Sequence, residues 1–315
     1  MKQSKVAFVI PYIGTFRKDF PLFLNSCKEN PSVDFLFFCD NTEQYGLNSM
    51  GGGNIYVYYS TLQDFERRAQ SLFDNIQVSL DTPYKLCDFK PLYGMMFAEE
   101  LAGYDYWGHC DTDVILGDIR KMLDKPISEG YLKIQLHGHL SLYHNDAYTN
   151  NVFREHHPEP HNGFPGIVTY EEVLTSPHSY AFDEGNGVGL TWLRYHKKDF
   201  FVDYSLFSNP NRMIKSFSSN QDGILNVTRR YYEYDNGTLI EHTIGKDGCD
   251  STKELLYVHF YQRTISVCVK DYSHYIVVPN KAIPYQKVSW LDRWLWCFKP
   301  LYMEFWTKLI KKKLL

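Results

Sequence analysis

Tyr106-Trp107-Gly108-His109-Cys110-Asp111-Thr112-Asp113-Val114-Ile115-Leu116-Gly117-Asp118-Ile119 is the stretch whose reading decides the fold. The run Tyr104–Cys110 has strand character and ends in two acids flanking one threonine. In extended backbone, residues i and i+2 point the same way, so Asp111 and Asp113 can both face one ion. A hard divalent cation such as Mg²⁺ or Mn²⁺ takes oxygen ligands, commonly one or two carboxylates plus phosphate oxygens. Such an ion neutralises a diphosphate and stabilises it as a leaving group. Taken alone, the pair reads equally well as a solvated turn, because acidic pairs at strand ends arise by chance.

Upstream of this stretch, three short apolar runs occur: Val6–Ile10, Asp34–Cys39 and Ile55–Tyr59. Each is bounded by turn residues, and Phe20–Cys27 between the first two has helical spacing. The β-α-β pattern predicts a parallel sheet with right-handed crossovers. Further helices are expected over Leu62–Ile76 and Lys90–Leu101, with Pro91 early in the second, where its missing N–H costs nothing. In an open α/β sheet, ligands bind beyond the carboxyl ends of the strands. The acidic pair therefore stands where a site should lie. Just before it, Tyr84-Lys85-Leu86-Cys87-Asp88-Phe89-Lys90-Pro91-Leu92-Tyr93-Gly94 places Lys85, Asp88 and Lys90 at a helix start, a favoured place for an anion.

Beyond Ile119 the pattern loosens. Residues 137–190 are rich in His, Asn, Gly and Pro, and a loop-rich stretch of that length is commonly functional or disordered; its aromatic content favours function. Strand-like segments return at Arg230–Tyr234, Leu255–Phe260, Ile265–Val269 and Tyr275–Val278. No internal repeat or low-complexity linker interrupts the chain.

Composition narrows the class. With 315 residues and 44% apolar content, a large buried core is expected, and the 17% aromatic share suits a core as well as sugar or base stacking. A net charge of −4 gives no global field for nucleic acid. The seven cysteines are odd in number and form no CxxC pair, which reads as reduced, buried thiols. With neither a signal-peptide pattern at the start nor a spanning apolar run, a cytosolic protein is expected.

The runs KLCDFKPLYG and YDYWGHCDTDVILGDI resemble those of bacterial glycosyltransferase-like proteins encoded in capsule and exopolysaccharide clusters, a family long catalogued only as a domain of unknown function. The similarity spans residues 5 to about 265. It implies a GT-A-like (Rossmann-like) α/β fold: a mixed, mainly parallel sheet flanked by helices. It implies Asp111 and Asp113 as the metal-binding DxD pair, holding Mn²⁺ or Mg²⁺. Pro11, Tyr12 and Asp40 would border the nucleoside, with Asp88 and Lys90 near the ribose and phosphates. Enzymes of this type often take a third ligand late in the chain, commonly a histidine. In Tyr257-Val258-His259-Phe260-Tyr261-Gln262-Arg263, His259 suits that place and Arg263 could reach a phosphate. With twelve histidines in the chain, ordinary hydrogen-bonded structure is the competing reading for His259.

An inverting transferase also needs a base for the acceptor hydroxyl. Asp183 and Glu184, before the Gly-rich turn Gly185-Asn186-Gly187, are the candidates. Glu171 and Glu172 read instead as the first turn of a helix after Thr169. A retaining enzyme would need no such base. His139 and Asn145 could touch donor sugar hydroxyls or serve hydrogen bonds within their own loop. His156, His157 and His161 match no zinc spacing.

Near the C-terminal end, Trp290, Leu291, Trp294, Leu295, Phe298, Leu301, Tyr302, Phe305, Trp306, Leu309 and Ile310 recur at helical steps beside Lys308 and Lys311–Lys313. Interfacial tryptophans with a lysine-rich end suit an amphipathic helix on an anionic membrane surface, which Pro300 would kink. Docking on the domain itself or a dimer contact are the alternatives. The expected organisation is a transferase domain over 1–285, with a nucleotide-binding half (1–120) and an acceptor-side half (121–285), followed by the basic tail 286–315. The expected activity moves a sugar from a nucleotide-sugar, taken as UDP-linked, to a glycan or lipid-linked glycan acceptor at the cytoplasmic face of the bacterial inner membrane. A catalytically inactive glycan-binding scaffold of the same fold is the alternative. A haloacid-dehalogenase-type phosphatase is a weaker one, since the acidic pair comes late and Ile115 holds the position where Thr or Val is usual.

Overall fold

The computed structural model describes residues 3–50, 53–157, 166–184, 187–210, 229–244, 250–261 and 263–288. The expected tail helix, together with Gly185, Asn186, His161 and Gln262, lies outside the described residues. Two compact units are interleaved along the chain. The first contains the segment ending at Phe16, then Asn30–Thr112 and Leu123–Asp203; the second contains Arg17–Glu29, Asp113–Met122 and the described residues from Tyr204 onward.

The first unit is built on a seven-stranded sheet in the order Ile55–Tyr59, Asp34–Cys39, Val6–Tyr12, Tyr106–Cys110, Leu140–His144, Lys133–Ile134, Phe200–Phe201. The first four strands are mutually parallel, and Leu140–His144 runs antiparallel to both of its neighbours. The mixed, mainly parallel α/β sheet expected from the sequence is therefore present. Its central strands read as unbroken apolar runs because both faces are buried: Val6 to Ile10 and Phe35 to Cys39 are all at most 2% exposed. One face packs Ala7, Val9, Leu36 and Phe38 against Phe65, Ala69, Tyr93 and Phe97.

Two helices differ from the periodicity. Leu62–Gln70 opens on a capping box, Thr61 with Asp64, but stops short of Ile76. The Gln70 side chain donates to the carbonyls of Phe73 (3.0 Å) and Ile76 (2.9 Å) and accepts from the Val78 N–H (2.9 Å), so it folds the following chain back on itself. Lys90–Leu101 is not one helix either. Pro83–Leu92 forms 3₁₀ turns, followed by the short helix Tyr93–Met96. In 3₁₀ geometry residues i and i+3 eclipse, which brings Lys85 and Asp88 together inside the protein at 2.9 Å.

In the second unit a six-stranded, largely antiparallel sheet runs Asp250–Glu254, Thr238–Ile244, Arg229–Asp235, His274–Val278, Lys281–Pro284, Ser266–Val267. Its first hairpin turns on Asn236-Gly237, both at positive φ (44° and 86°), as a tight two-residue turn requires. A second sheet pairs Val114–Leu116, Tyr257–His259 and Phe207–Ser208. Helix Phe20–Lys28 belongs to the same unit, and its Leu22 shares a core with Ile115, Tyr232, Leu239, Val258 and Tyr275. No disulfide joins the described cysteines; Cys27, Cys39 and Cys110 are buried as expected, whereas Cys87 is half-buried and Cys268 is exposed. No helix among the described residues is long and apolar enough to cross a membrane.

Candidate functional site

In the first unit the chain winds outward from Val6–Tyr12 through Asp34–Cys39 to Ile55–Tyr59, then returns to place Tyr106–Cys110 on the other side of Val6–Tyr12. That reversal is a topological switch point, and ligands of open α/β sheets bind beyond the carboxyl ends of the strands there. The last register pair is Val9 with His109, so Pro11 and Asp111 each stand two residues further along adjacent strands.

Around Asp111 lies a buried polar group. The Lys90 ammonium donates to Asp111 Oδ1 at 2.9 Å and to the Gly138 carbonyl at 2.8 Å, and stands 3.3 Å from Asp183 Oδ2. Burial alone would favour its neutral form, but Asp111 and Asp183 hold the Lys90 pKa well above the ordinary value. Asp183 is 4% exposed. Burial, joined by the charges of Glu184 and Asp111, pushes its pKa up to about 6 against the pull of Lys90. The Glu184 carboxylate accepts from the Gly138 N–H at 2.8 Å. Gly138 thus serves this group through its backbone alone. A Cβ there would sit 2.1 Å from Asp183 Oδ2, so only glycine leaves room. His109 Nδ1 donates to the same Gly138 carbonyl at 3.0 Å, and burial with the charges of Lys90 and Lys133 keeps its imidazole neutral.

The second unit holds the other acid. Thr112 and Asp113 form a turn into Val114–Leu116 rather than a continuation of the strand, a departure from the extended geometry expected of the pair. Asp113 Oδ1 lies 3.3 Å from His259 Nε2, and Asp113 Oδ2 accepts from Arg17 at 3.0 Å. The Phe260 N–H donates to the Asp113 carbonyl at 2.9 Å, which fixes the turn against the end of Tyr257–His259. Burial disfavours ionisation of Asp113, yet His259 and Arg17 outweigh it and hold the carboxyl below its ordinary value. Arg17 also grips Asp19 with two bonds, 3.0 and 2.8 Å, and donates to the Arg263 carbonyl. Arg263 is 5% exposed and donates to Asn280 Oδ1 at 3.1 Å; burial lowers its pKa to about 10.

A family model matches residues 8–286. The chain belongs to DUF6625, a family of unknown function. No curated protein matches it. Among solved structures it is similar to mouse xyloside xylosyltransferase 1 in its apo form, at 8% identity and a TM-score of 0.39 over 66% of this chain and 88% of that one. A glycosyltransferase involved in glycosylation of the major capsid of PBCV-1 is similar at 13% identity and a TM-score of 0.33, over 82% and 94%. The galactosyltransferase LgtC, in complex with donor and acceptor sugar analogues, is similar at 12% identity and a TM-score of 0.33, over 65% and 76%.

The remaining sequence candidates of this DUF6625 chain fall in different places. Asp40 is exposed and pins the turn after the first strand, accepting from the Gly14 N–H at 2.8 Å. Tyr12 stacks on Phe16 with ring centroids 4.3 Å apart. Lys85 and Asp88, at 1% and 0% exposure, are turned inward. Lys85 donates to Asp88, to the Val173 carbonyl at 2.8 Å and to the His178 carbonyl, while Asp88 accepts from the N–H groups of Tyr180 and Phe182. This pair ties down the loop that leads to Asp183. Asn145 donates to the Leu101 and Tyr104 carbonyls at 3.0 Å each, so its amide N–H groups tie its segment to an earlier part of the chain instead of bonding within its own loop. His139 is buried and stacks on His137 at 4.8 Å. Thr169 caps the helix of Glu171 and Glu172, as expected. His157 contacts Glu155 and stacks on Tyr195. Arg17 and Lys133 were not among the sequence candidates and no local motif marks them; Gly138 opens the stretch that carries His139 and Asn145 but was not itself a candidate. Lys133 is fully buried, donates to Tyr143 Oη at 2.8 Å, and burial lowers its pKa to about 7 despite Asp183 and Glu184.

Proposed function

We propose that this chain is a metal-dependent glycosyltransferase of the GT-A type, acting on a nucleotide-sugar donor. The observation that carries the reading is the pairing of Asp113 with His259 at 3.3 Å. A histidine far along the chain meets the second acid of a strand-end DxD pair, and the first acid closes a strand at a topological switch point. Two carboxylates and one imidazole are a donor set that suits Mn²⁺ or Mg²⁺. Asp111, Asp113 and His259 would hold that ion, which when bound supplies positive charge to the leaving diphosphate.

The chain's own residues do the rest. Lys90 neutralises and orients Asp111, held in turn by the Gly138 carbonyl. Asp183, titrating near 6, takes the acceptor hydroxyl proton in an inverting transfer, because a base works best with a pKa near the operating pH. Glu184 is held by the Gly138 N–H and fixes the loop that carries Asp183. Pro11, Tyr12 and Asp40 border the nucleoside, and Arg263 faces the phosphates. The inward-turned geometry of Lys85 and Asp88 supports a positioning role behind Asp183 in place of direct ribose or phosphate contact. The donor is UDP-linked, and the acceptor is a glycan or lipid-linked glycan of the bacterial surface. Residues 1–120 serve the nucleotide and 121–285 the acceptor, apart from His259 and Arg263, which serve the metal and the phosphates, and the tail 286–315 attaches to the cytoplasmic face of the inner membrane.

Calorimetric titration of UDP and of GDP, with Mn²⁺ and with EDTA, tests this on the native chain and on Asp113→Ala. UDP binding that needs the metal and disappears in the variant is the expected result. GDP binding in its place changes the donor and keeps the mechanism. Binding of neither nucleotide with metal present sinks the transferase reading.

A further inference from the structure

We infer that Arg17 is an internal counter-cation on Asp113 that makes divalent-metal binding depend on the simultaneous binding of a nucleoside diphosphate. The inference rests on the metal-dependent reading above and adds a residue and a binding order to it.

The geometry lies within the second unit. Arg17 Nη1 donates to Asp113 Oδ2 at 3.0 Å, leaving Oδ1 toward His259 at 3.3 Å. From behind, Arg17 is anchored to Asp19 through Nε at 3.0 Å and Nη2 at 2.8 Å, and Nη2 also donates to the Arg263 carbonyl. Asp19 is itself fixed, 7% exposed, and accepts from the Ile265 N–H at 3.0 Å. The guanidinium is therefore parked on a metal-ligand carboxylate by an acid outside the donor set. A divalent ion approaching Asp113 meets a carboxylate with one oxygen already bonded to a guanidinium, whose positive charge is shared with Asp19 and only partly offsets that of Asp113. Metal alone should bind weakly. A diphosphate supplies the missing negative charge, and guanidinium is the side chain best matched to phosphate oxygens. Metal and nucleotide should each tighten the other by the same factor, since coupling between binding sites is reciprocal.

Lys90 plays the corresponding part on Asp111 but is more deeply enclosed. Its side chain is 10% exposed and held by the Gly138 carbonyl and Asp183, whereas that of Arg17 is 29% exposed. Of these two cations, Arg17 is the one placed to meet a ligand.

The test measures Mn²⁺ binding alone, by electron paramagnetic resonance of the free ion, and then with UDP present. The native chain is compared with Arg17→Ala and Arg17→Lys. In the native chain UDP should tighten Mn²⁺ by at least about fivefold, the lower end of typical coupling. Arg17→Ala should bind Mn²⁺ alone more tightly than the native chain and lose most of the UDP effect. Arg17→Lys, which keeps the charge, should bind Mn²⁺ alone as weakly as the native chain. If circular dichroism shows that Arg17→Ala has lost its fold, Arg17→Gln replaces it, neutral but still able to donate to Asp19. Weaker Mn²⁺ binding in the neutral variant, or an undiminished UDP effect, overturns the inference and leaves Arg17 as a mere orienter of Asp113. A native chain that binds neither Mn²⁺ nor UDP overturns the transferase reading itself, a result distinct from either.

Discussion

The Asp183 carboxylate lies 3.3 Å from the Lys90 ammonium, yet its pKa is raised, to about 6. Burial to 4% exposure, with Glu184 and Asp111 nearby, outweighs the attraction of the lysine. As the proposed base, Asp183 is competent only when ionised. Activity with a nucleotide-sugar should therefore rise as pH increases through about 6 and level off above it. In Asp183→Asn that limb should vanish and kcat should fall by about a hundredfold or more, the usual worth of general-base catalysis. A pH–rate profile of both proteins decides this, and an unchanged limb in the variant excludes Asp183 as the base. The stability consequence runs the other way. Between an ordinary carboxylate value of about 4 and the folded value, the native chain holds a proton that the unfolded chain has lost, so stability should decline as pH rises through that window.

Gly138→Ala puts a Cβ 2.1 Å from Asp183 Oδ2. Either the loop bearing Asp183 moves or the Lys90–Gly138 contact opens. Overpacking of this kind costs about 1–3 kcal/mol, and urea denaturation should show it together with a loss of turnover. A variant with native stability and native turnover would mean that the close contact around Gly138 does not matter.

Lys85→Met leaves the Asp88 carboxylate buried with only the Tyr180 and Phe182 N–H groups. Removing one partner of a buried ion pair costs about 3–5 kcal/mol. The double variant Lys85→Met/Asp88→Asn should be less destabilised than the sum of the two single changes. Simple additivity in a double-mutant cycle would show that the pair is not coupled.

Lys133 is buried with a pKa of about 7, far below its ordinary value. A lowered lysine pKa means that the unfolded chain binds the proton more strongly, so this group weakens the fold below about 7 and is relieved as pH rises toward its ordinary value. Lys133→Met should therefore gain stability relative to the native chain at pH 6, by a margin that shrinks at pH 9. Equal margins at both pH values, read from denaturation midpoints, would contradict it.

Much of the first unit was legible in the sequence because burial on both faces leaves a plain trace. VAFVI and DFLFFC are continuous apolar runs, and the structure makes them neighbouring parallel strands. Asp111 and Asp113 were legible as a candidate pair because they stand two residues apart in the chain, although the turn at Thr112 was not. Arg17 was not, because its partner Asp113 is 96 residues away and nothing local marks Arg17 itself. Lys85 and Asp88 misled for a related reason: their spacing suggests a charged helix start, whereas the 3₁₀ turns fold both inward. Gly138 acts through its backbone and its lack of a side chain, a role that composition and periodicity do not record.

The interleaving of the two units constrains how the chain is made. Arg17–Glu29 is synthesised early, but its partners in the second unit include Tyr257–His259 and the strands near the far end. At ribosomal speeds of about 5–20 residues per second, that helix waits roughly 10–50 s for its core to emerge. During this interval Asp113–Met122, with Ile115, is all that its own unit offers to cover Leu22, so a nascent chain stalled before Tyr204 should be a client for chaperones. It also follows that neither unit can be produced by a single cut in the gene: a fragment ending at Asp203 would carry two orphaned segments of its neighbour.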